Sequence, residues 1–267
     1  MSWHKAYDNI KPFMVRIETE TGFGTGFLFS YTANHALAAF ATACHVVADV
    51  DEWKKPLKIS HYTTGKVVYF DGTERVILTD RARDTATILA PSTRFDLPAA
   101  VLPLLPSTKF KKIGVEVGWT GFPSLSPTDL CFFSGSVSFY NSDDDSYFID
   151  GVAIHGVSGG PVFSMLDDST PQIIGVISAY VANRRGGEAL PGLLKARDLT
   201  TIHKHISAIQ SLDDAKEKED ELQEQVTKES APSEPEAKTT MIPPKTSQPT
   251  QEKRVAKKRP IKKKQSG

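Results

Sequence analysis

Between residues 12 and 180 the apolar positions come in short bursts separated by turn residues. "FMVRIET" alternates as a half-buried strand does. "TGFGTGFLFS", "ALAAFATACHVVADV", "KVVYF", "RVILT", "ATILA", "GVEVGWTGF", "SGSVSFY", "SYFIDGVAI", "GPVFS" and "QIIGVISAYV" follow, many rich in Val, Ile, Phe and Tyr with Gly, Pro, Asp or Ser at their borders. Such spacing predicts an all-β sandwich or barrel rather than alternating βα units. The period changes in "DLTTIHKHISAIQSL", where Leu199, Ile202, Ile206 and Ile209 recur at steps of three and four. That is one stripe on a helix, capped by Asp198 and packed back on a barrel. A helical pattern continues through "DDAKEKEDELQEQV" with almost no apolar face, so any helix there is solvated or unstable.

Composition divides the chain at the same place. Tyr180 is the last aromatic residue, and from Asp213 onward Glu, Lys, Pro, Ser and Gln dominate. Such a segment buries too little apolar surface to offset its ordering entropy, so residues 213–267 are expected to be a largely disordered tail. The 212 residues before it suffice for one well-buried domain or two small ones. Lys plus Arg and Asp plus Glu number 32 each, so net charge indicates no partner. The tail is polarised: residues 213–236 hold ten acids and three bases, residues 237–267 one acid and ten bases. Its end, "EKRVAKKRPIKKK", suits an anionic partner such as nucleic acid or an acidic protein, or serves only as a solvated tail. The N-terminus lacks the apolar run of a signal peptide, and no stretch approaches the ~20 apolar residues of a membrane span. A cytoplasmic protein is the expectation, with Cys44 and Cys131 as free thiols that lack the spacing of a zinc site.

Three stretches carry candidate chemistry. "HGVSGGPVF" surrounds Ser158 with glycines between apolar strands, a loop in which successive N–H groups can point the same way. A serine hydroxyl needs a base, a group that orients the base, and donors for the developing oxyanion. The N–H groups of Gly156 and Ser158 are the candidate donors. His45, in the small apolar run "ATACHVVADV", is the candidate base, because that role needs a rigid, partly desolvated imidazole. His4, His35, His61, His155, His203 and His205 compete but lack the same frame. Asp84, in "RARDTATILA", stands at the mouth of a strand and can accept the ring N–H of His45; Asp80 is its rival.

In this order, His, Asp and Ser resemble the chymotrypsin-like serine peptidases. The likeness is closest to the bacterial trypsin-like branch that includes the high-temperature-requirement proteases. "GFGTGFLFS", "TACHVV", "DTATILA", "VEVGWTGFPS" with "FFSGSVSFY", and "GVSGGPVFS" with "IIGVISA" resemble that branch's segments collinearly over about residues 12–212. The resemblance implies a double β-barrel with a C-terminal helix. It implies six strands in each barrel, with His45 and Asp84 on the first and Ser158 on the second. It implies a serine endopeptidase acting on protein or peptide through an acyl-enzyme, with no metal or organic cofactor. It also places Ser178 near the catalytic Asp, and makes Ser178, Ala179 and Tyr180 the edge strand that pairs with substrate backbone.

The sequence departs from the digestive enzymes at Val157, where they carry an Asp that pairs with a newly freed N-terminus. A zymogen switch of that kind is therefore not expected. No PDZ-like domain follows the match. The resemblance puts Val152 at the floor of the primary pocket, followed by Ala153, with Ser178 and Tyr180 in its wall and His155 at its rim. Neither Asp nor Glu stands at that floor, which predicts cleavage after small or medium uncharged residues. The competing reading, from a different class, is a protease-like module that grips peptides or scaffolds a complex without efficient cleavage.

Overall fold

In the computed structural model, which describes residues 2–185 and 188–229, a short helix α1 (Trp3–Ile10) leads into seven antiparallel strands. These are β1 (Met14–Glu18), β2 (Phe23–Tyr31), β3 (Leu37–Thr42), β4 (Leu57–His61), β5 (Val67–Phe70), β6 (Val76–Asp80) and β7 (Thr85–Pro91), with helix α2 (Cys44–Glu52) between β3 and β4. They form one sheet in the order β5-β4-β1-β2-β3-β7-β6. Val15, Ile17, Leu28, Phe40, Phe70 and Phe95 fill the core on one face. The central strands are buried on both faces, because Phe27, Phe29, Ala39 and Ala41 belong to a second core shared with the rest of the chain. This is why "FGTGFLFS" reads as a continuous apolar run rather than an alternation.

The second half closes into a barrel. Strands β8 (Glu116–Gly121), β9 (Cys131–Asn141), β10 (Ser146–Asp150), β11 (Pro161–Met165), β12 (Pro171–Arg185) and β13 (Glu188–Asp198) pair in the order β10-β13-β12-β11-β8-β9. Trp119, Tyr147 and Phe163 are among its fully buried large side chains, with Phe163 packed against Trp3 of α1. Helix α3 (Thr200–Glu229) follows, and Leu199 just before it sinks into the shared core with Ile202 and Ile209 of the helix, as the three-four spacing predicts. Asp198 caps the entry, its Oδ1 accepting the Thr200 N–H at 2.9 Å.

The all-β expectation with a terminal helix holds, with four differences. The first half is a half-barrel rather than a closed six-stranded barrel. Its two sheet edges, β5 and β6, are consecutive strands, and they do not pair. Instead the buried Arg75 guanidinium between them donates to the carbonyls of Phe70, Val50 and Lys55 at 3.5, 3.0 and 2.7 Å. The run "ALAAFATACHVVADV" splits into β3 and α2, because Cys44, Val47 and Val50 face the core at helical spacing. Three elements carried too little pattern to be foreseen: α1, β4 and β13. Finally, helix continues past residue 212 to Glu229, nearly five turns into the segment expected to lack order. Residues 213–223 of it are almost all exposed, as the absent apolar face predicts. Residues 230–267, and with them the basic end of the tail, lie outside the described residues. Met1–Leu222 forms one compact unit; of the second, Gln223–Gly267, only the helical residues 223–229 are described.

Candidate active site

His45 occupies the first turn of α2, directly after β3. Its backbone is fixed by burial of Cys44, Val46 and Val47 on either side, while its own ring stays half exposed. Asp84 sits in the turn before β7 with φ +45°, a left-handed conformation that Asp tolerates better than most residues. The turn aims the carboxylate at α2. His45 Nδ1 lies 3.0 and 2.9 Å from its two oxygens, and the His45 backbone N–H donates to Oδ1 at 2.9 Å. From β12, the Ser178 hydroxyl donates to Oδ2 at 2.6 Å.

These contacts set the protonation of the pair. Burial works to raise the Asp84 carboxyl pKa, but hydrogen bonds from His45 and Ser178 outweigh it and hold the group below its ordinary value. The same hydrogen bond, accepted by Asp84, raises His45 against the opposing effect of burial. Cys44, the neighbour of His45, is pushed up to about 11 by burial, with the Asp84 charge adding to it, so it remains a thiol at neutral pH.

Asp80 is engaged elsewhere. It accepts the Arg83 N–H and the Thr201 hydroxyl, both at 3.0 Å, and ties the start of α3 to the sheet. Most of the competing histidines are also occupied: His61 by Pro12 O and Thr64, His203 by Leu105 O, His205 by Thr87, His4 by Asp8 and His35 by stacking on Tyr31. His45 alone reaches Asp84.

Ser158 lies in the loop between β10 and β11 and lines a cavity of about 460 Å³ together with His45, Ser178 and His155. The carbonyls from His155 to Ser158 are each held. His155 O accepts the Ser124 N–H at 2.7 Å, and Gly156 O accepts the Thr25 hydroxyl at 2.7 Å. Val157 O accepts the Gly160 N–H at 2.9 Å, and Ser158 O accepts the Thr25 N–H at 2.8 Å. Each peptide is planar and trans, so a fixed carbonyl aims its N–H the opposite way. The N–H groups of Gly156 and Ser158 find no acceptor among the described residues. Gly156, at φ +93°, has no room for a side chain: a Cβ would lie 2.2 Å from Phe122 O.

Ala153, His155, Ser178, Ala179 and Tyr180 line the cavity, and Val152 does not. Gly151 lies flat against Trp119, where a Cβ would be 2.2 Å from the ring, and the next residue turns out, leaving Val152 58% exposed. Ile154 and Ile177 take its place in the lining. Tyr180 stays partly exposed, its hydroxyl accepting the Gly192 N–H of β13. From Ser178 to Ala182, β12 pairs with β13 on one side, while its pairing with β11 ends at Val176. A length of strand edge therefore faces the cavity.

The family described as the trypsin-like peptidase domain matches residues 24–176. Among solved structures, the chain is similar to the serine endoprotease from Yersinia pestis, with a TM-score of 0.59 and 16% identity over 79% of this chain and 67% of that one. It is also similar to Rv3671c from M. tuberculosis in an inactive form, with a TM-score of 0.52 and 19% identity over 77% and 90% of the two chains. No curated protein sequence matches it.

Proposed function

The chain belongs to the trypsin-like peptidase family and is a serine-type endopeptidase, and from that premise we propose that it cleaves peptide bonds with Ser158, His45 and Asp84 through an acyl-enzyme. The observation that carries this reading is the double hydrogen bond between Asp84 and His45 Nδ1, in a cavity that Ser158 also lines. With Nδ1–H held by Asp84, the bare Nε2 is left to take a proton. His45 removes it from the Ser158 hydroxyl, which attacks the substrate carbonyl, and then returns it to the leaving amine. Water enters by the same route in reverse and frees the acyl group. The N–H groups of Gly156 and Ser158 receive the oxyanion; the His155 and Val157 carbonyls that share their peptides are already bonded, so no reorganisation is needed as charge develops. The polypeptide substrate lies along the free edge of Ser178–Ala182 as an added strand.

The cavity lining favours small or medium uncharged side chains before the scissile bond. Ala153, Ile154, Ile177 and Ala179 are apolar, and no carboxylate lines the cavity among the described residues. A buried Arg or Lys would lack a partner, at a cost of several kcal/mol.

A fluorophosphonate probe tests the catalytic reading. It should label the wild type on Ser158, as mapped by peptide mass spectrometry, and leave Ser158→Ala and His45→Ala unlabelled. Cleavage of a protein substrate should fall by about 10⁴–10⁶ in either variant. Undiminished cleavage by Ser158→Ala would end this reading.

A further inference from the structure

A glycine suits the nucleophile loop and also weakens it. Gly156 turns at φ +93° where no side chain fits, yet a glycine peptide swings among conformations more freely than any other. A loop that must present two N–H groups in one direction therefore needs a brace from outside itself. The only side chain that grips a carbonyl of the Gly156–Ser158 segment, among the described residues, is that of Thr25.

Thr25 is fully buried in β2, in the other half of the molecule. Its hydroxyl donates to Gly156 O at 2.7 Å and accepts the Phe122 N–H at 3.0 Å. A hydroxyl can do both at once; an acceptor-only or donor-only group cannot. Its backbone N–H donates to Ser158 O at 2.8 Å, and its own carbonyl accepts the Thr42 hydroxyl at 2.8 Å. One residue thus holds both ends of the Gly156–Ser158 segment, with β8 as anvil on the far side. The close approach is built in: at Gly121 a Cβ would lie 2.9 Å from Thr25 Oγ1, and at Gly159 a Cβ would lie 2.2 Å from Thr25 O. The β-branched side chain has few χ1 options in a strand, so the hydroxyl is aimed before substrate arrives.

We propose that Thr25 is a positioning residue for catalysis: its hydroxyl locks the Gly156 carbonyl, and so keeps the N–H groups of Gly156 and Ser158 turned toward the position of the oxyanion. The proposal rests on the reading of those two N–H groups as the oxyanion donors. Planarity links them. The Gly156 carbonyl shares its peptide with the Val157 N–H, and that peptide lies between the two that carry the donors. Without Thr25 that peptide keeps only the longer bond from the Val157 N–H to Ile154 O, at 3.2 Å, and is freer to rotate about Gly156 and take one or both donors out of line. Thr25 does not line the cavity, so loss of the bond lowers the fraction of molecules able to bind the oxyanion without changing substrate contacts.

Thr25→Val keeps the shape and removes the hydroxyl. With a short peptide amide as substrate, kcat should fall about 10- to 100-fold, less than the ~10²–10³-fold for loss of an oxyanion donor itself. KM should stay within about twofold. The acid limb of the pH profile should not move, because Thr25 touches neither His45 nor Asp84. Thr25→Ser, which restores the hydroxyl, should recover activity to within about threefold of wild type. Thr87→Val is the control: it removes another buried hydroxyl from the same sheet, one bonded only to His205 on α3, and should keep kcat. Melting curves establish that each variant is folded. Should Thr25→Val fail to fold, Thr25→Cys, with its weak thiol donor, carries the same expectation. A folded Thr25→Val or Thr25→Cys with wild-type kcat overturns the proposal. So does a loss that Thr25→Ser fails to recover, or an equal loss in Thr87→Val. The two readings fail separately. A wild type that takes no fluorophosphonate on Ser158 removes both, whereas a labelled wild type beside a fully active Thr25→Val removes only the clamp.

Discussion

Replacing Asp84 by Asn keeps the size of the side chain and removes its charge and one acceptor. Four contacts converge on the carboxylate: the two from His45 Nδ1 at 3.0 and 2.9 Å, the His45 backbone N–H at 2.9 Å and the Ser178 hydroxyl at 2.6 Å. An amide offers one oxygen and an NH₂ that only donates. If the oxygen keeps the backbone N–H of His45, the NH₂ is left to face the ring. Nδ1 then becomes the bare nitrogen and the ring proton moves to Nε2, the atom assigned to accept the Ser158 proton. The base is in place but in the wrong tautomer. The expected loss is about 10⁴-fold in kcat, or about 5 kcal/mol of transition-state stabilisation.

The pH dependence gives a second readout of the same substitution. Asp84 raises His45 mainly through its hydrogen bond, while burial opposes it. The base acts when neutral, so kcat/KM of the wild type should fall as pH drops through a value above the ordinary histidine pKa of about 6.5. In Asp84→Asn only the burial effect remains, and the limb of the residual activity should move to lower pH. Stability follows the same pair. His45, raised in the folded state, stabilises below about pH 6.5 and loses that contribution as pH rises through its folded value. Asp84, lowered, stabilises above about pH 3.9 and loses its contribution as pH falls through its folded value. The melting difference between wild type and variant should therefore be widest between about pH 4 and 6.5. A fluorogenic peptide read from pH 5 to 9, with melting curves alongside, checks both. A variant with more than a tenth of wild-type kcat, or one whose acid limb stays in place, would refute control of His45 by Asp84.

Two further expectations concern the ends of the chain and of the substrate. A chain ending at Leu222 should keep its melting temperature and its activity on a small peptide. One ending at Leu212 loses the 2.7 Å bond from Ala33 N–H to Asp213 Oδ2 and should melt about 2–4 °C lower, the shift for roughly 1 kcal/mol in a domain of this size. A drop of several degrees already at Leu222 would show that the second unit supports the fold. In a peptide library read by mass spectrometry, cleavage should follow Ala, Val, Thr or Leu. Dominant cleavage after Arg or Lys would rule out the apolar pocket, and dominant cleavage after Glu or Gln would assign selection to His155, which lines the cavity with an exposed ring.

How far the sequence could be read depends on the range of the forces involved. Burial of alternate positions is local, so most of the strands and the Leu199–Ile209 stripe show in the pattern alone. β4 hides because "LKISH" is short and its second, fourth and fifth residues are polar, although Leu57, Ile59 and His61 do alternate inward. α2 hides because β-branched valines suit strands as well as helices, and only the third dimension shows which face Cys44, Val47 and Val50 share. Asp84 was legible over Asp80 because the buried strand begins at the next residue, and the turn it closes is local too. Val152 was misplaced because its direction is set by Gly151 lying on Trp119, a contact across 32 positions that no short window contains. Thr25 is the limiting case. Its hydroxyl partners lie 97 and 131 residues away, at Phe122 and Gly156. Within its own segment it is one polar residue between two glycines in an apolar strand. The glycines around Ser158 announce a backbone that must turn sharply, but a loop's freedom and the brace that removes it are written in different places. The turn is a property of adjacent residues; the brace exists only once the two halves of the molecule have packed.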